Sequence, residues 1–295
     1  MQTSLKPKLI NILTNSEISM ISSIIKTARS VASVILHDYL IMRKIKFKNA
    51  ESLGSNSDFF SKKYQKHYLP IKESGKIKKD SKMKITILGS GTAAPRLNRN
   101  MSGYLLEADG KKILFDSGPG TIRQLLQINA DILDIDHIFY THMHNDHIHD
   151  LGAIIWSNNY GVSRKKALNL YGPNGFKRYF KTLVRKILKP TKLYYRLNIT
   201  QMKNNSLINI PINSNNNNLI IKSIKSKHMG ASSVSYRIDY GNKSIVYSGD
   251  TEYCNEIIEI SKNADLLILE CSFPYNTDDH LDPSLCGKVA TKANA

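Results

Sequence analysis

No stretch of about 18 consecutive apolar residues occurs anywhere in the 295-residue sequence, so no segment reads as a membrane-spanning helix. Cysteine is scarce and odd in number: Cys254, Cys271 and Cys286 stand alone, none in C-x-x-C spacing. That excludes a disulfide framework and a zinc ribbon, and it points to a reducing, cytoplasmic setting. Acidic residues are few, 24 Asp and Glu against 42 Lys and Arg, which leaves a net charge of +18. A secretory signal is not expected, because charges break the apolar stretch near the N-terminus and no small-residue cleavage site comes after it; Ser and basic content leave a transit peptide open, against which Glu17 and Asp38 count. The first 82 residues also lack any motif, including an RNA-binding signature with interleaved aromatics.

So large a positive charge fits either a genome-wide bias toward Lys, Asn and Ile or an anionic partner, a phosphorylated small molecule or a nucleic acid. It is uneven: residues 1–82 carry 14 Lys and 2 Arg against 6 acids. Within them, Glu17 to Met42 has apolar residues at three- and four-residue steps and predicts an amphipathic helix. Arg43 to Lys82 is rich in Lys, Ser and Asn and reads as linker. Residues 1–82 are therefore a basic N-terminal extension, and residues 83–295 form the main domain.

From Met83 onward short β-like runs alternate with helical ones. Strands are expected at Lys84–Leu88, Gly103–Glu107, Lys112–Phe115, Asp136–Tyr140, Leu168–Tyr171, Tyr194–Ile199, Leu219–Ser226, Ser233–Asp239, Ser244–Tyr247 and Leu266–Leu269. Helices are expected at Gly120–Gln127, Leu151–Trp156, Gly175–Leu188, Asn255–Ser261 and from Pro283 on. This alternation argues for a layered α/β domain.

Four histidines and two aspartates crowd into the nine residues from His142 to Asp150. They come after the apolar run I-F-Y-T, where a strand ends and a helix begins. His142 and His144 alternate, so both reach one pocket from an extended turn. Asp146 and His147 open the helix and face a neighbouring position. Neutral imidazoles beside carboxylates suit Zn2+, with Mn2+ or Fe2+ as alternatives. His149 reads as solvent-facing or as supporting a ligand from behind, and His37, His67 and His137 as ordinary surface or core histidines.

With His142, His144, Asp146 and His147 standing as H-x-H-x-D-H, the chain resembles the metallo-β-lactamase superfamily from Met83 to its end. Gly89-Ser90-Gly91, Leu114 to Gly120, and Tyr247-Ser248-Gly249-Asp250-Thr251 support the resemblance. It implies a four-layer αββα sandwich with metals at one edge. It also implies that His228 completes the first metal position and that Asp250 bridges both. Asp116 would orient a ligand from behind. The stretches Gly89–Ser102, Leu170–Pro173 and Glu270–Phe273 are most similar to the ribonuclease Z-like branch, in which His280 would lie near the transferred phosphate.

The activity this implies is that of a hydrolase using a metal-bound hydroxide on phosphodiesters, with Asp146 and His280 as catalytic groups. Between His228 and Asp250 there is room for two strands and a turn. The alternatives are tRNA 3′ processing, a thioester or lactone hydrolase, and a catalytically weak fragment. Family members carry one more histidine after the last helix. Here none lies beyond His280, and the helical run from Pro283 reaches Ala295 with no Gly cap, Pro stop or polar tail. The expectation is therefore a chain missing its C-terminal end, with one zinc held firmly and a second weakly. Dimers are common in this family, so the resemblance leaves a homodimer open.

Overall fold

The structure is a computed structural model that describes residues 83–161, 164–190, 192–212 and 218–295. The expected helix at Glu17–Met42, the linker behind it, His37 and His67 lie outside those residues.

Two sheets face each other. The first has the order β1-β2-β3-β4-β5-β6: Met83–Gly89, Gly103–Ala108, Lys111–Phe115, Ile135–Phe139, Leu168–Gly172 and Leu197–Gln201. Its first three strands form an antiparallel meander, whereas β3 to β6 pair in parallel. Parallel neighbours need long crossovers. Helices α1 (Thr121–Gln127), α2 (Asn145–Ile148), α3 (Leu151–Trp156) and α4 (Phe176–Thr182) supply them. Both α3 and α4 continue as wider π-type turns, Ser157–Gly161 and Leu183–Leu188. The second sheet runs β11-β10-β9-β8-β7, from Leu266–Ile268, Lys243–Tyr247, Ser233–Tyr240, Asn218–Ser226 and Leu207–Pro211. Helices α5 (Asn255–Ser261) and α6 (Pro283–Ala293) cover its outer face.

Strand alternation sorts side chains among three apolar layers. In β3, Ile113 and Phe115 enter the core between the sheets, while Leu114 between them points to the α1–α4 side. In β2, Tyr104 and Leu106 face the central core and Leu105 faces the helices. Ile257, Val289 and Leu267 build the third layer, under α5 and α6. Three apolar seams between four layers make the expected αββα sandwich. Each fully buried aliphatic or aromatic side chain contributes about 1.5–3 kcal/mol. None of the described helices is long and apolar enough to cross a membrane.

Arg164 fastens the helical layer to the first sheet. It is buried, and its Nη2 meets Asp136 Oδ1 at 2.5 Å while Nη1 donates to Asn158 Oδ1 at 3.2 Å. Its Nε donates to the Lys166 carbonyl at 3.0 Å. A buried guanidinium is tolerated only when so fully bonded.

The structure differs from the sequence expectation at three places. β6 starts at Leu197 rather than Tyr194, because Tyr195 is buried toward α3 and the Tyr194 amide donates to Asn159 Oδ1 at 2.8 Å. β7 was not expected at all; it pairs only with β8 and ends on Pro211, which an edge strand accommodates. α6 does have a cap, since Asn294 adopts φ 52 and ends it in the left-handed conformation.

The strands place two rims at opposite ends of the sandwich. At the C-terminal ends of β3, β4, β8, β10 and β11 stand Asp116, His142, His228, Asp250 and Glu270. At the other rim the sheets part around an open cleft of about 790 Å3 bordered by Met83, Lys111, Lys243 and Asp265.

Candidate metal centre

Both sheets contribute to the histidine rim. The loop after β4 carries His142, His144, Asp146 and His147, with α2 beginning at Asn145. The second sheet adds His228 after β8 and Asp250 after β10. His142, His144 and His228 each place a ring nitrogen within 4.8 Å of the other two, and His142, His147 and a carboxylate oxygen of Asp250 do the same. His147 Nε2 is 3.2 Å from Asp250 Oδ1, and His228 Nε2 is 3.8 Å from its Oδ2, so Asp250 lies between the two sets. Asp146 stands at their margin, with Oδ2 3.7 Å from His147 Nε2.

Asp116, buried behind this cluster, fixes its orientation. Its carboxylate accepts from Thr141 N and Oγ1 at 2.8 Å each, His147 Nδ1 at 2.8 Å and Tyr247 Oη at 2.6 Å. Its φ of 54 is a left-handed conformation that aspartate tolerates better than most residues. With Nδ1 engaged by Asp116, His147 turns Nε2 into the pocket, toward Asp250. Thr141 Oγ1, already donating to Asp116, accepts from His142 Nδ1 at 3.1 Å. This leaves His142 Nε2 buried, facing the pocket and without a hydrogen-bond partner.

The electrostatics match that arrangement. Burial, reinforced by neighbouring His147, pushes His142 down to about 2, so its imidazole is neutral at any ordinary pH. His144 is lowered by burial and by His228. For His147 burial also pulls down, but Asp116 and Asp250 outweigh it and the net shift is upward. The Asp250 carboxyl is raised by burial yet falls well below the carboxylate range, held there by His147 and the other imidazoles. His228 Nε2 and His144 Nδ1 lie 3.1 Å apart, a separation that two lone pairs keep only with a proton or cation shared between them. An orphaned buried nitrogen, neutral imidazoles and a carboxylate between two sets together fit divalent metal ions.

His280 borders the same pocket. Its ring centroid is 5.0 Å from that of His228, and its Nδ1 meets Glu270 Oε1 at 2.9 Å. That hydrogen bond to Glu270 raises its pKa against the pull of burial. Glu270 is held in turn by Thr251 N at 2.9 Å and Ser272 Oγ at 2.8 Å. His149 is exposed, as expected, and pairs weakly with Asp150 at 3.6 Å. Asp150 caps α1 from outside, accepting from Ile122 N at 3.0 Å, which Gly120 as the helix's own N-cap cannot do. His137 sits away from the pocket, stacked on Tyr171.

Five of the six expected ligands fall into these two sets with Asp146 at their margin, and His280, expected as a proton donor, forms a third such set with His228 and Asp250. Glu270, Thr141 and Tyr247 were not assigned from the sequence. The signal for Glu270 was a carboxylate ending the apolar run L-L-I-L, where a buried acid needs partners.

Comparisons with known proteins agree with this fold. A family profile described as Anti-Pycsar protein Apyc1 matches residues 83–282. The chain is 25% identical over 262 residues to a ribonuclease Z from Methanosarcina mazei, covering 72% of this chain and 83% of the relative. A Brevibacillus brevis ribonuclease Z is 28% identical over 246 residues, covering 66% and 74%. Among solved structures, the metallo-β-lactamase fold protein YhfI from Bacillus subtilis superposes with a TM-score of 0.60 at 26% identity, over 72% of this chain and 82% of that one. The short form of human tRNase Z gives 0.59 at 22% identity, over 71% and 88%, a likeness of fold.

Proposed function

The chain belongs to the Anti-Pycsar protein Apyc1 family and is a ribonuclease Z-like, metal-dependent hydrolase of the metallo-β-lactamase fold; from that premise we propose that it uses zinc to cleave phosphodiesters. The observation that carries this reading is the buried, neutral and unpartnered Nε2 of His142, flanked by His144, His228, His147 and Asp250.

His142, His144 and His228 would hold the first ion, and Asp146 with His147 the second, Asp250 being shared. Three imidazoles and a carboxylate close the first set, so its ion would be the more tightly held. Zinc suits these donors best, with Mn2+ or Fe2+ next. Bound ions supply Lewis acidity, which favours ionisation of water and neutralises charge on phosphoryl oxygens.

The chain's own residues do the rest. Asp146, at the margin of the pocket, accepts or orients the proton of the attacking water. Glu270 favours the protonated form of His280 and fixes its ring, so that His280 can give a proton to the leaving oxygen. Asp116 and Thr141 lock His147 and His142 in the tautomers that face the pocket.

The test is hydrolysis of bis-p-nitrophenyl phosphate by the zinc-loaded chain, beside an acyl-glutathione and a lactone. Phosphodiester cleavage that falls at least a hundredfold in His142→Ala supports the reading; cleavage of the carbon esters alone overturns it. A second reading, tRNA 3′ processing, is favoured by the names of the ribonuclease Z relatives. Accurate 3′ cleavage of a precursor tRNA would establish it.

A further inference from the structure

Positive charge on this chain is concentrated rather than spread. Between Asp150 and Asp239 lie 88 residues with sixteen Lys and Arg and no acid at all. The rest of residues 83–295 sums to −8. The acid-free span includes the outer helices α3 and α4. From Leu151 to Arg196 ten of the eleven basic side chains are exposed, the exception being the buried Arg164.

The same face displays aromatic rings. Trp156, Tyr160 and Tyr194 are 46%, 43% and 62% exposed. Trp156 and Tyr160 have centroids 4.6 Å apart, and Tyr194 stands edge-on to Tyr160 at 6.3 Å. Lys192 Nζ lies 5.8 Å over the Tyr194 ring. Trp156, Tyr160 and Leu188 border an open cleft of about 520 Å3 between α3 and the end of α4. Trp156 is at the opposite end of α3 from Asp150 and the metal-binding loop, and the chemistry described above uses none of these rings.

We propose that this face docks single-stranded nucleic acid, with bases stacking on Trp156, Tyr160 and Tyr194 and phosphates meeting the lysines and arginines around them. Exposed ring faces among exposed lysines and arginines are the two elements that such binding needs, since every base has a π-face and every nucleotide a negative charge. A second copy fits worse, because pairing this face with itself brings together two surfaces of the same sign. The inference stands on residues outside the metal centre and does not depend on the phosphodiester reading.

Trp156 is the chain's only tryptophan, so intrinsic fluorescence reports on this face directly. The full chain is titrated with a 16-nucleotide oligothymidylate and, in parallel, with polyphosphate of matched charge. Stacking predicts strong quenching by the oligonucleotide and little by polyphosphate. In anisotropy measurements with a labelled oligonucleotide, Tyr160→Ala and Tyr194→Ala each weaken binding about fivefold or more. Lys186→Gln with Lys192→Gln makes the salt dependence shallower. Hydrolysis of bis-p-nitrophenyl phosphate stays unchanged in all of these variants. Oligonucleotide binding that leaves Trp156 unquenched and ignores the tyrosine changes overturns the proposal, as does absence of binding. A dimer in light scattering that Trp156→Arg converts to monomer, without oligonucleotide binding, also overturns it and assigns the face to a second copy.

Discussion

Asp116→Asn separates two effects that are usually confounded, the cost of an orphaned acceptor and the cost of a wrong tautomer. In the native site Oδ1 accepts from Thr141 N, while Oδ2 accepts from Thr141 Oγ1, His147 Nδ1 and Tyr247 Oη. An asparagine keeps the first bond and presents to the other three donors an NH2 group whose two hydrogens can satisfy only two of them. The two hydroxyls can reverse and accept, but His147 must move its proton from Nδ1 to Nε2. Replacing charge-assisted bonds by neutral ones costs about 1–1.5 kcal/mol each, so the three together cost about 3–4 kcal/mol. For a domain of this size that lowers Tm by roughly 6–16 °C. Tyr247→Phe removes one donor and leaves Asp116 with three, so it costs only about 1 kcal/mol. Thermal unfolding of both variants in EDTA measures these differences without metal. The proton on Nε2 also removes the lone pair that faces Asp250, and affinity at the second metal position falls about 10–100-fold. Equal Tm shifts in the two variants, or an NMR signature of the Nδ1–H tautomer of His147 in Asp116→Asn, would refute the reasoning.

Four further outcomes are expected. Gly249 has φ 56 and a Cβ there would lie 2.5 Å from Thr141 Cβ, so Gly249→Ala displaces both Asp250 and the Thr141–His142 step; zinc affinity in a chelator competition drops about tenfold or more while the far-ultraviolet spectrum is kept. Arg164→Met leaves Asp136 without its partner and destabilises the chain by about 3–5 kcal/mol in urea unfolding, and a loss under 1 kcal/mol would contradict the clamp. Burial lowers His137 from 6.5 to about 4, so the fold keeps it neutral while the unfolded chain takes up a proton. Stability is then fully present above pH 6.5 and falls by about 2–3 kcal/mol as pH drops to 4, and His137→Phe removes much of that slope in urea titrations at pH 7 and 4.5. Glu270→Gln loosens His280 and lowers kcat on bis-p-nitrophenyl phosphate about tenfold with zinc content unchanged; loss of zinc instead would assign Glu270 a purely structural part.

The sequence showed what depends on near neighbours. The H-x-H-x-D-H run is legible because its spacing alone places donors on one turn. His228 and Asp250 were reached only through resemblance, because a single histidine or an S-G-D turn carries no signal until the β9–β10 hairpin sets the two beside the β4 loop. Glu270 escaped notice because its partner His280 is ten residues away across an irregular loop. Most strands were legible from alternation, but β7 was not, since five residues ending in proline between asparagine-rich stretches lack a clear strand pattern. The end of α6 was misread because Asn294 does what glycine was expected to do.

The two rims of the sandwich are fastened differently, and this bears on how the molecule moves. Where β3, β4, β8 and β10 end, a bound ion would tie residues of one sheet to residues of the other, as a clasp closes a book. At the opposite end the sheets diverge around the cleft bordered by Lys111 and Lys243, and the pages are held by apolar contacts and the hydrogen bond from Tyr240 Oη to Asp109. The central core then serves as the hinge, and the pages open first at the unclasped edge. Amide exchange at the starts of β3 and β10 is accordingly expected to run ahead of exchange at their ends when metal is bound. Chelation should erase that polarity, with both edges gaping alike.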